Sequence, residues 1–169
     1  MVLAIKGLIP HKLNGVYTGE VLLFGNDIRK IPLKDIAQTV GFVFADPEQQ
    51  FTSMSVEEEL AFAMENVGFS VPEIRSRIEW VSDIAMIGDL LDKSPYDVSG
   101  GQKQRIALAC AIASKLSILL LDEPTNHLSL RLVTELEQAI PDYPGAIVVA
   151  SHDRWLRNTW QGKRLYLAG

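Results

Sequence analysis

Two adjacent carboxylates follow an apolar run in the sequence. Asp122 ends the segment SILLLD of residues 117–122, Glu123 comes next, and Pro124 stops the run. One carboxylate in this position can hold Mg²⁺, directly or through water, while its neighbour orients or deprotonates an attacking water. The structural alternative is that one carboxylate caps the next helix and the other is solvated. The pair therefore indicates either metal-assisted hydrolysis or an ordinary helix start.

A Ser-Gly-Gly-Gln segment offers a possible phosphate site. It consists of Ser99, Gly100, Gly101 and Gln102. The serine and the bare glycine backbones would let a phosphate approach the positive end of a following helix. Ser99 and Gln102 also have the spacing of a capping box, which is the alternative interpretation of the same residues.

Two further polar segments follow apolar runs. His152 comes directly after AIVVAS (146–151), where it could donate to a phosphate oxygen. Its alternative is a turn histidine, with Asp153 as the N-cap of the next helix. The segment FADPEQQF (44–51) follows another apolar run, and a glutamine there could sense Mg²⁺ and the terminal phosphate. Its alternative is a polar turn around Asp46 and Pro47.

Regular elements must bring these residues together. Apolar runs with turn residues at their ends predict strands over 19–25, 39–45, 117–122 and 146–151, with a short edge strand at 164–169. Helices are predicted as the tail of one at 3–8, from capping boxes at Ser55 and Ser70, and over the amphipathic segment 129–140. Gly68 is the predicted stop between the two capped helices. The pattern indicates an α/β fold whose last two buried strands run parallel, with a helical insertion.

Composition narrows the function. The 169 residues suit one domain, 47% of them are hydrophobic, and the net charge of −5 argues against a free-standing nucleic-acid binder, so no direct DNA binding is expected. Cys110 is the single cysteine, which excludes an internal disulfide and suits a reducing compartment. The first residues are too short and broken for a membrane span and lack a signal-peptide cleavage pattern. We therefore expect a cytoplasmic chain, with contact to a membrane protein left open.

The motifs in this order resemble the ATP-binding cassette (ABC) ATPase family. VSGGQ (98–102) is similar to the signature motif, ILLLDEP to the Walker B strand and SHD to the switch-histidine segment. The resemblance implies that Asp122 holds the metal, Glu123 is the catalytic glutamate and His152 is the switch histidine. Residues 125–130 would be the D-loop, and residues 39–51 the strand and Q-loop.

The resemblance also implies an architecture and partners. The expected fold is a P-loop-NTPase-like, mostly parallel sheet with a helical signature subdomain and missing N-terminal strands. Residues 1–51 and 115–169 would form the sheet core of a single truncated domain, with 52–114 as the helical subdomain. ATP and Mg²⁺ would be the cofactors. A second ABC ATPase domain and membrane transporter subunits would be the partners, at the inner face of the membrane.

Two branches of the family are visible. The N-terminal two thirds, with TGEVLLFG and VGFVFADPEQQF, look like ATPases of energy-coupling-factor importers of vitamins and metals. The C-terminal third, with LLLDEPTNHLS and SHDRWLRNTW, looks like the ABC-F branch, which acts on ribosomes. A ribosome-linked ATPase and a non-catalytic remnant or fusion scaffold therefore stand as alternatives to a transport ATPase.

The sequence departs from the family pattern at the phosphate loop. The 169 residues contain no segment that matches the phosphate-loop motif G-x-x-x-x-G-K-[ST]. The single Gly-Lys pair is Gly162-Lys163. The resemblance implies that the absent loop strand would lie beside the Walker B strand, so that its loss uncovers apolar edges. Ala45 stands where the Q-loop has glutamine, and Ser129 where the D-loop has aspartate. We expect an impaired nucleotide site that can at most lend its signature motif to a partner.

Overall fold

The computed structural model describes residues 19–123, 143–160 and 162–164. The predicted helix segments at 3–8 and 129–140, the predicted D-loop at 125–130 and nearly all of the strand predicted at 164–169 lie outside the described residues. Within them, no helix is long and apolar enough to cross a membrane.

A parallel sheet carries the candidate residues. Among the described residues it has three strands in the order β3-β4-β5, which are β3 (Val40–Val43), β4 (Ile118–Asp122) and β5 (Ala146–Ala150). Both pairings are parallel, with Val43 opposite Leu121 and Asp122 opposite Ala150. The three predicted strands are therefore confirmed, and the α/β class with a parallel sheet is confirmed with them.

The central place of β4 corrects one expectation. β4 is hydrogen-bonded to β3 on one side and to β5 on the other, so both of its edges are occupied. The prediction that the absent loop strand would lie beside this strand is wrong, since a strand has only two edges. Exposed apolar surface lies on β5 instead, where Val148 is 43% exposed.

The segment predicted as one strand over 19–25 is a short hairpin. β1 (Leu22–Leu23) pairs antiparallel with β2 (Asn26–Asp27). Phe24 and Gly25 form the turn with φ of 49° and 81°, the left-handed conformation that two-residue hairpin turns require. The predicted strand is therefore wrong in extent, because the chain reverses after two residues.

A short helical stretch links the hairpin to β3. It contains a 3₁₀ turn at Ile28–Lys30 and helix α1 (Leu33–Ala37). Buried apolar side chains from the hairpin, this stretch and the sheet form one small core: Leu23, Ile28, Ile36, Val40 and Leu120. The hairpin is thus anchored on the face of the sheet that α1 covers.

Three helices pack against one another, and the last of them lies against β3. They are α2 (Val56–Glu65), α3 (Val71–Ala85) and α4 (Gly100–Ala113), followed after β5 by α5 (Arg154–Thr159). The main apolar cluster combines side chains of α2, α3 and α4 with β3 and β4, including Leu60, Ile78, Ile106, Val43 and Leu121. Helices and sheet therefore share a core, and the predicted subdomain boundaries stay a prediction.

The predicted helix starts are confirmed by their hydrogen bonds. Ser55 Oγ accepts from the Glu58 N–H at 3.2 Å, and the Glu58 carboxylate accepts from the Ser55 N–H at 3.2 Å. The Glu73 carboxylate accepts from both the N–H and the hydroxyl of Ser70 at the start of α3. Gly68 follows the end of α2 with a φ of 95°, as expected of a stop that glycine favours.

Candidate functional site

The exit from β4 places two carboxylates at the carboxyl edge of the sheet. Asp122 is the last residue of β4 and lies opposite Ala150 of β5. Glu123 adopts a left-handed backbone with φ of 46°, and its N–H donates to the Ala150 carbonyl at 2.8 Å. A non-glycine residue rarely adopts this conformation, and such residues cluster at functional sites. The chain therefore turns sharply at Glu123 and stays tied to the neighbouring strand.

Glu123 contacts the residues that leave β5. Its carboxylate accepts from the His152 N–H at 3.0 and 3.2 Å and from Ser151 Oγ at 3.2 Å. Its Oε1 also lies 2.5 Å from His152 Nδ1. The prediction that His152 shares the sheet edge with the two carboxylates is confirmed. The Glu123 side chain is 20% exposed and that of His152 is 99% exposed, so the histidine ring faces solvent.

The alternative for His152 is confirmed in part as well. Asp153 N-caps α5, since its Oδ1 accepts from the Leu156 N–H at 2.7 Å. The cap uses Asp153, whereas His152 uses its Nδ1 and main chain on Glu123. The structural role of the turn and a functional role of the histidine are therefore compatible.

Asp122 is electrostatically suited to a cation. Burial raises the pKa of its carboxyl above the ordinary value, and the charge of Glu123 raises it further. A bound divalent cation would relieve both effects. Among the described residues no group of three or more His, Cys, Asp or Glu side chains could hold a metal by itself. Mg²⁺ ordinarily binds one or two carboxylates and completes its shell with water and phosphate oxygens, so the two carboxylates at this edge are compatible with Mg²⁺.

The Ser99–Gln102 segment begins α4 as a capping box. The Ser99 N–H donates to Gln102 Oε1 at 2.8 Å, and the Gln102 N–H donates to Ser99 Oγ at 3.4 Å. The structural alternative for this motif is thereby confirmed. The cap does not use the N–H groups of Gly100 and Gly101, which have no hydrogen-bond acceptor among the described residues. Capping and anion binding are therefore compatible in this segment.

Side chains join the start of α4 to the segment that follows β3. Lys103 forms an ion pair with Glu48. The Tyr96 hydroxyl donates to the Phe51 carbonyl at 2.7 Å, and the two rings pack edge to face with centroids 6.2 Å apart. Asp46 caps the 3₁₀ turn Pro47–Gln50, which confirms the polar turn predicted as the alternative there.

Gln50 reaches back to the end of β3. Its Oε1 accepts from the Phe44 N–H at 3.3 Å, beside the Ala45 position that lacks an amide. Phe44 follows Val43, which is opposite Leu121, so this hydrogen bond lies at the carboxyl end of β3, beside the end of β4. The sequence indicated a glutamine in the segment 44–51 without choosing between Gln49 and Gln50, and it did not indicate Ser151. The hydrogen bond of Ser151 to Glu123 joins residues far apart in the chain, and such a contact leaves no periodic signal in the sequence.

The predicted site residues thus form two groups. Asp122, Glu123 and His152 share the sheet edge, whereas the Ser99–Gln102 segment lies at the start of α4. Within the described part of the chain, no hydrogen bond or ion pair joins one group to the other. The residues predicted for hydrolysis and the segment predicted for anion binding therefore belong to separate elements.

The family comparison decides between the possible contexts. A model of the ABC transporter family matches residues 4–126. The chain belongs to the ABC transporter family. The resemblance inferred from the motifs is confirmed at this level, while the roles of the individual site residues stay predictions.

Curated relatives agree with this membership. A Pyrococcus abyssi protein named as an ABC transporter ATP-binding protein is 40% identical over 75% of this chain. The Bacillus subtilis HMP/thiamine import ATP-binding protein YkoD is 38% identical over 76% of this chain. The aligned part amounts to 45% of the first relative and 24% of the second, so the chain spans less than half the length of each.

Solved structures show the same fold. The cbiO1 protein of Clostridium perfringens, described as part of the ABC transporter complex cbiONQ, superposes with a TM-score of 0.70 at 27% identity. The match covers 89% of this chain and 61% of that one. The ATP-binding cassette MJ0796, solved as a dimer with ADP and Pi, superposes with a TM-score of 0.69 at 24% identity over 80% of this chain and 63% of that one. The second likeness concerns the fold alone.

Proposed function

We propose that this chain works in a pair of ABC ATPase domains and donates the start of α4 to a nucleotide held by its partner. The N–H groups of Gly100, which is exposed, and of Gly101, which is half-buried, carry the proposal, because neither has an acceptor among the described residues. They lie at the positive end of a 14-residue helix, where an anion is stabilised by the helix dipole and by unsatisfied donors. Ser99 and Gln102 hold this backbone in place through their reciprocal hydrogen bonds.

In the proposed pair, the sheet edge belongs to the chain's own nucleotide site, which we expect to be impaired. Asp122 would hold Mg²⁺, which neutralises phosphate charge when it is bound. Glu123 would orient or deprotonate the attacking water, and His152 would contact the terminal phosphate. The left-handed turn at Glu123 and its contacts with the exit of β5 support a fixed position for this carboxylate.

A phosphate cradle must come from outside these 169 residues. Cradles of this kind place several backbone donors and a lysine on the triphosphate, and a hydrogen bond to a charged group contributes roughly 1.5–3 kcal/mol. A chain that lacks several of these hydrogen bonds binds the nucleotide many orders of magnitude more weakly, because about 1.4 kcal/mol corresponds to a factor of ten in affinity. The adjacent carboxylates of Asp122 and Glu123 would also repel ATP in the absence of Mg²⁺. We therefore propose that the chain alone holds ATP weakly.

The test mixes the chain with an importer-type cassette that keeps its own phosphate cradle but carries a disabled signature motif. ATP turnover is expected to appear only in the mixture, because the partner supplies the cradle and this chain supplies the helix start. Gly101→Asp should lower that turnover about a hundredfold, since a carboxylate at the helix start repels phosphate while it stabilises the helix.

Gly88→Asp is the matched control. It adds the same carboxylate at an exposed glycine with no atom within 4 Å of an added Cβ, away from the proposed site. A mixture with Gly88→Asp should turn over ATP as fast as the mixture with the unmodified chain. Robust turnover by the chain alone, or full activity of Gly101→Asp, would contradict the proposal.

Two alternatives give different results in solution. A ribosome-linked role rests on the ABC-F-like segments LLLDEPTNHLS and SHDRWLRNTW, the first of which lies mostly outside the described residues. It requires nucleotide-dependent co-sedimentation with ribosomes. A non-catalytic scaffold requires a stable fold and no turnover in any mixture. The favoured proposal puts the chain in the cytoplasm, beside transporter subunits at the inner face of the membrane.

A further inference from the structure

We propose that Ser151 is a positioning residue that holds the Glu123 carboxylate in its working orientation. The inference rests on the proposed role of Glu123 in hydrolysis. Ser151 Oγ lies 3.2 Å from Glu123 Oε2 and also accepts from the Asp153 N–H at 3.0 Å. Ser151 is partly buried between these two partners, directly after β5.

The two contacts of Ser151 fix the direction of its proton. A serine hydroxyl has one proton to donate and two lone pairs that accept. The Asp153 N–H occupies one lone pair, and an ionised carboxylate can only accept. The Ser151 hydroxyl must therefore donate to Glu123 Oε2. The result is a directed chain from the Asp153 N–H through Ser151 to the carboxylate.

The other carboxylate oxygen fixes the tautomer of His152. Glu123 Oε1 lies 2.5 Å from Nδ1 and 3.0 Å from the main-chain nitrogen of the same histidine. Because the carboxylate only accepts, the proton of the neutral ring must reside on Nδ1, and Nε2 is left as an acceptor facing solvent. Ser151 on one oxygen and His152 on the other form a carboxylate clamp, the name used below for this pair.

The clamp does more than the local turn requires. The turn after β5 needs only that Ser151 accept from Asp153, which is a common local hydrogen bond of serine. Donation to Glu123 joins two strands that are far apart in the sequence. Without that donation, Oε2 loses one of its two donors and the carboxylate can rotate about the Cγ–Cδ bond. Rotation breaks the short contact with Nδ1 and releases the histidine tautomer.

The tautomer of His152 is therefore the readout. Nitrogen NMR of the labelled chain, at a pH where the ring is neutral, distinguishes protonated Nδ1 from protonated Nε2. The unmodified chain is expected to show mainly Nδ1–H, against the usual excess of Nε2–H in free histidine. Ser151→Ala should lower the Nδ1–H to Nε2–H ratio about tenfold, the factor that one lost hydrogen bond typically represents. The His152→Gln variant should lack the nitrogen signals of this ring, which assigns them to His152.

Three variants control the measurement. Ser151→Thr keeps the hydroxyl and should retain the Nδ1–H form, which separates donation from simple packing. Ser76→Ala removes an exposed serine of α3 and should change nothing. Glu123→Ala removes the acceptor and should lose the Nδ1–H preference completely. If Ser151→Ala does not fold, Ser151→Cys, which keeps the volume and only a weak donor, takes its place.

The outcomes separate this inference from the proposed function. An unchanged tautomer in Ser151→Ala, or a Thr variant that behaves like the Ala variant, would overturn the clamp whatever the ATP turnover of the mixture. Conversely, loss of the Gly101→Asp effect on turnover would overturn the proposed function and leave the tautomer result standing. The NMR measurement needs neither nucleotide nor partner.

Discussion

The hydroxyl of Tyr143 joins the segment before β5 to the segment before β4. It donates to the Leu116 carbonyl at 2.6 Å just before β4, and the residue is only 9% exposed. Burial raises the pKa of Tyr143 to about 12, and the nearby charge of Arg77 opposes that rise. The folded chain therefore keeps the phenol protonated at a pH where the unfolded chain begins to ionise.

The stability that Tyr143 contributes should depend on pH. The pKa of about 12 in the folded state lies above the ordinary tyrosine value of 10.0, so the folded state binds more protons between these two pH values. The full stabilisation of the folded state by Tyr143 is present below about pH 10, and it declines as the pH rises toward 12. Tyr143→Phe should cost about 1 kcal/mol in urea unfolding at pH 8, and the difference should shrink at pH 11.5. A difference that stays constant with pH would contradict this assignment.

At the same scale, the sequence located some site residues and missed others. Asp122, Glu123 and His152 could be predicted, because each stands where an apolar strand ends and parallel strands end at one edge. Ser151 could not, and Gln50 is indicated only as one of two glutamines in the segment 44–51, because the contacts of both residues depend on partners that folding brings close. A residue's position along the chain predicts which edge it reaches, but not which atom it will contact there.

At the scale of elements, Arg77 closes the end of α4. Its Nε donates to the Ala113 carbonyl at 2.8 Å and its Nη2 to the Ile112 carbonyl at 3.3 Å. The guanidinium also lies over the Phe69 and Trp80 rings, 5.5 and 5.1 Å from their centroids. The last carbonyls of a helix have no partner within it, so a cation from α3 satisfies them and opposes the negative end of the helix.

Loss of this cap should destabilise the helical part of the chain. Arg77→Ala is expected to lower the free energy of unfolding by about 2 kcal/mol, from the lost charged hydrogen bonds and ring contacts. Arg77→Lys should recover part of the loss, because an ammonium cannot make the same forked contact. Thermal and urea unfolding measure both variants.

Arg75→Ala provides the matched control for the cap. It removes an exposed arginine from the same helix and should change stability by less than about 0.5 kcal/mol. Equal losses for Arg75→Ala and Arg77→Ala would show that helix propensity or net charge, rather than the cap, is responsible.

Helix starts could be predicted from the sequence more readily than helix ends or turns. Ser55 and Ser70 predict the starts of their helices, because the two residues of each capping box are only three positions apart in the sequence. The partner that closes α4 lies 36 residues from Ala113, where no local pattern points to it. The hairpin was missed because an apolar run through Phe24 resembles a continuous strand, although the chain reverses there.

At the scale of the molecule, one segment connects the two groups of candidate residues. The chain that leaves β3 is held to the sheet by Gln50 and to the start of α4 by Glu48 and its partner Lys103. Glu59, a buried carboxylate of α2, accepts from the N–H groups of Thr52 and Ser53 and fixes the far end of the segment. The sheet edge with Asp122 and Glu123 and the start of α4 thus keep a defined relation, although no hydrogen bond joins them directly within the described part of the chain.

The exposed face of β5 determines how the isolated chain should behave at high concentration. Val148 is 43% exposed on a strand of five apolar residues, and no described strand pairs with the outer edge of β5. An apolar strand edge of this kind favours pairing with another chain. We expect the 169-residue chain to sediment as a concentration-dependent mixture of species. Val148→Lys should shift this mixture toward the monomer, because a charge on an edge strand opposes pairing.

Val71→Lys is the control for the added charge. It places the same charge on a residue of α3 that is 62% exposed and should leave the distribution of species unchanged. If Val148→Lys sediments like the unmodified chain while its melting temperature is unaltered, β5 is not the surface through which copies associate.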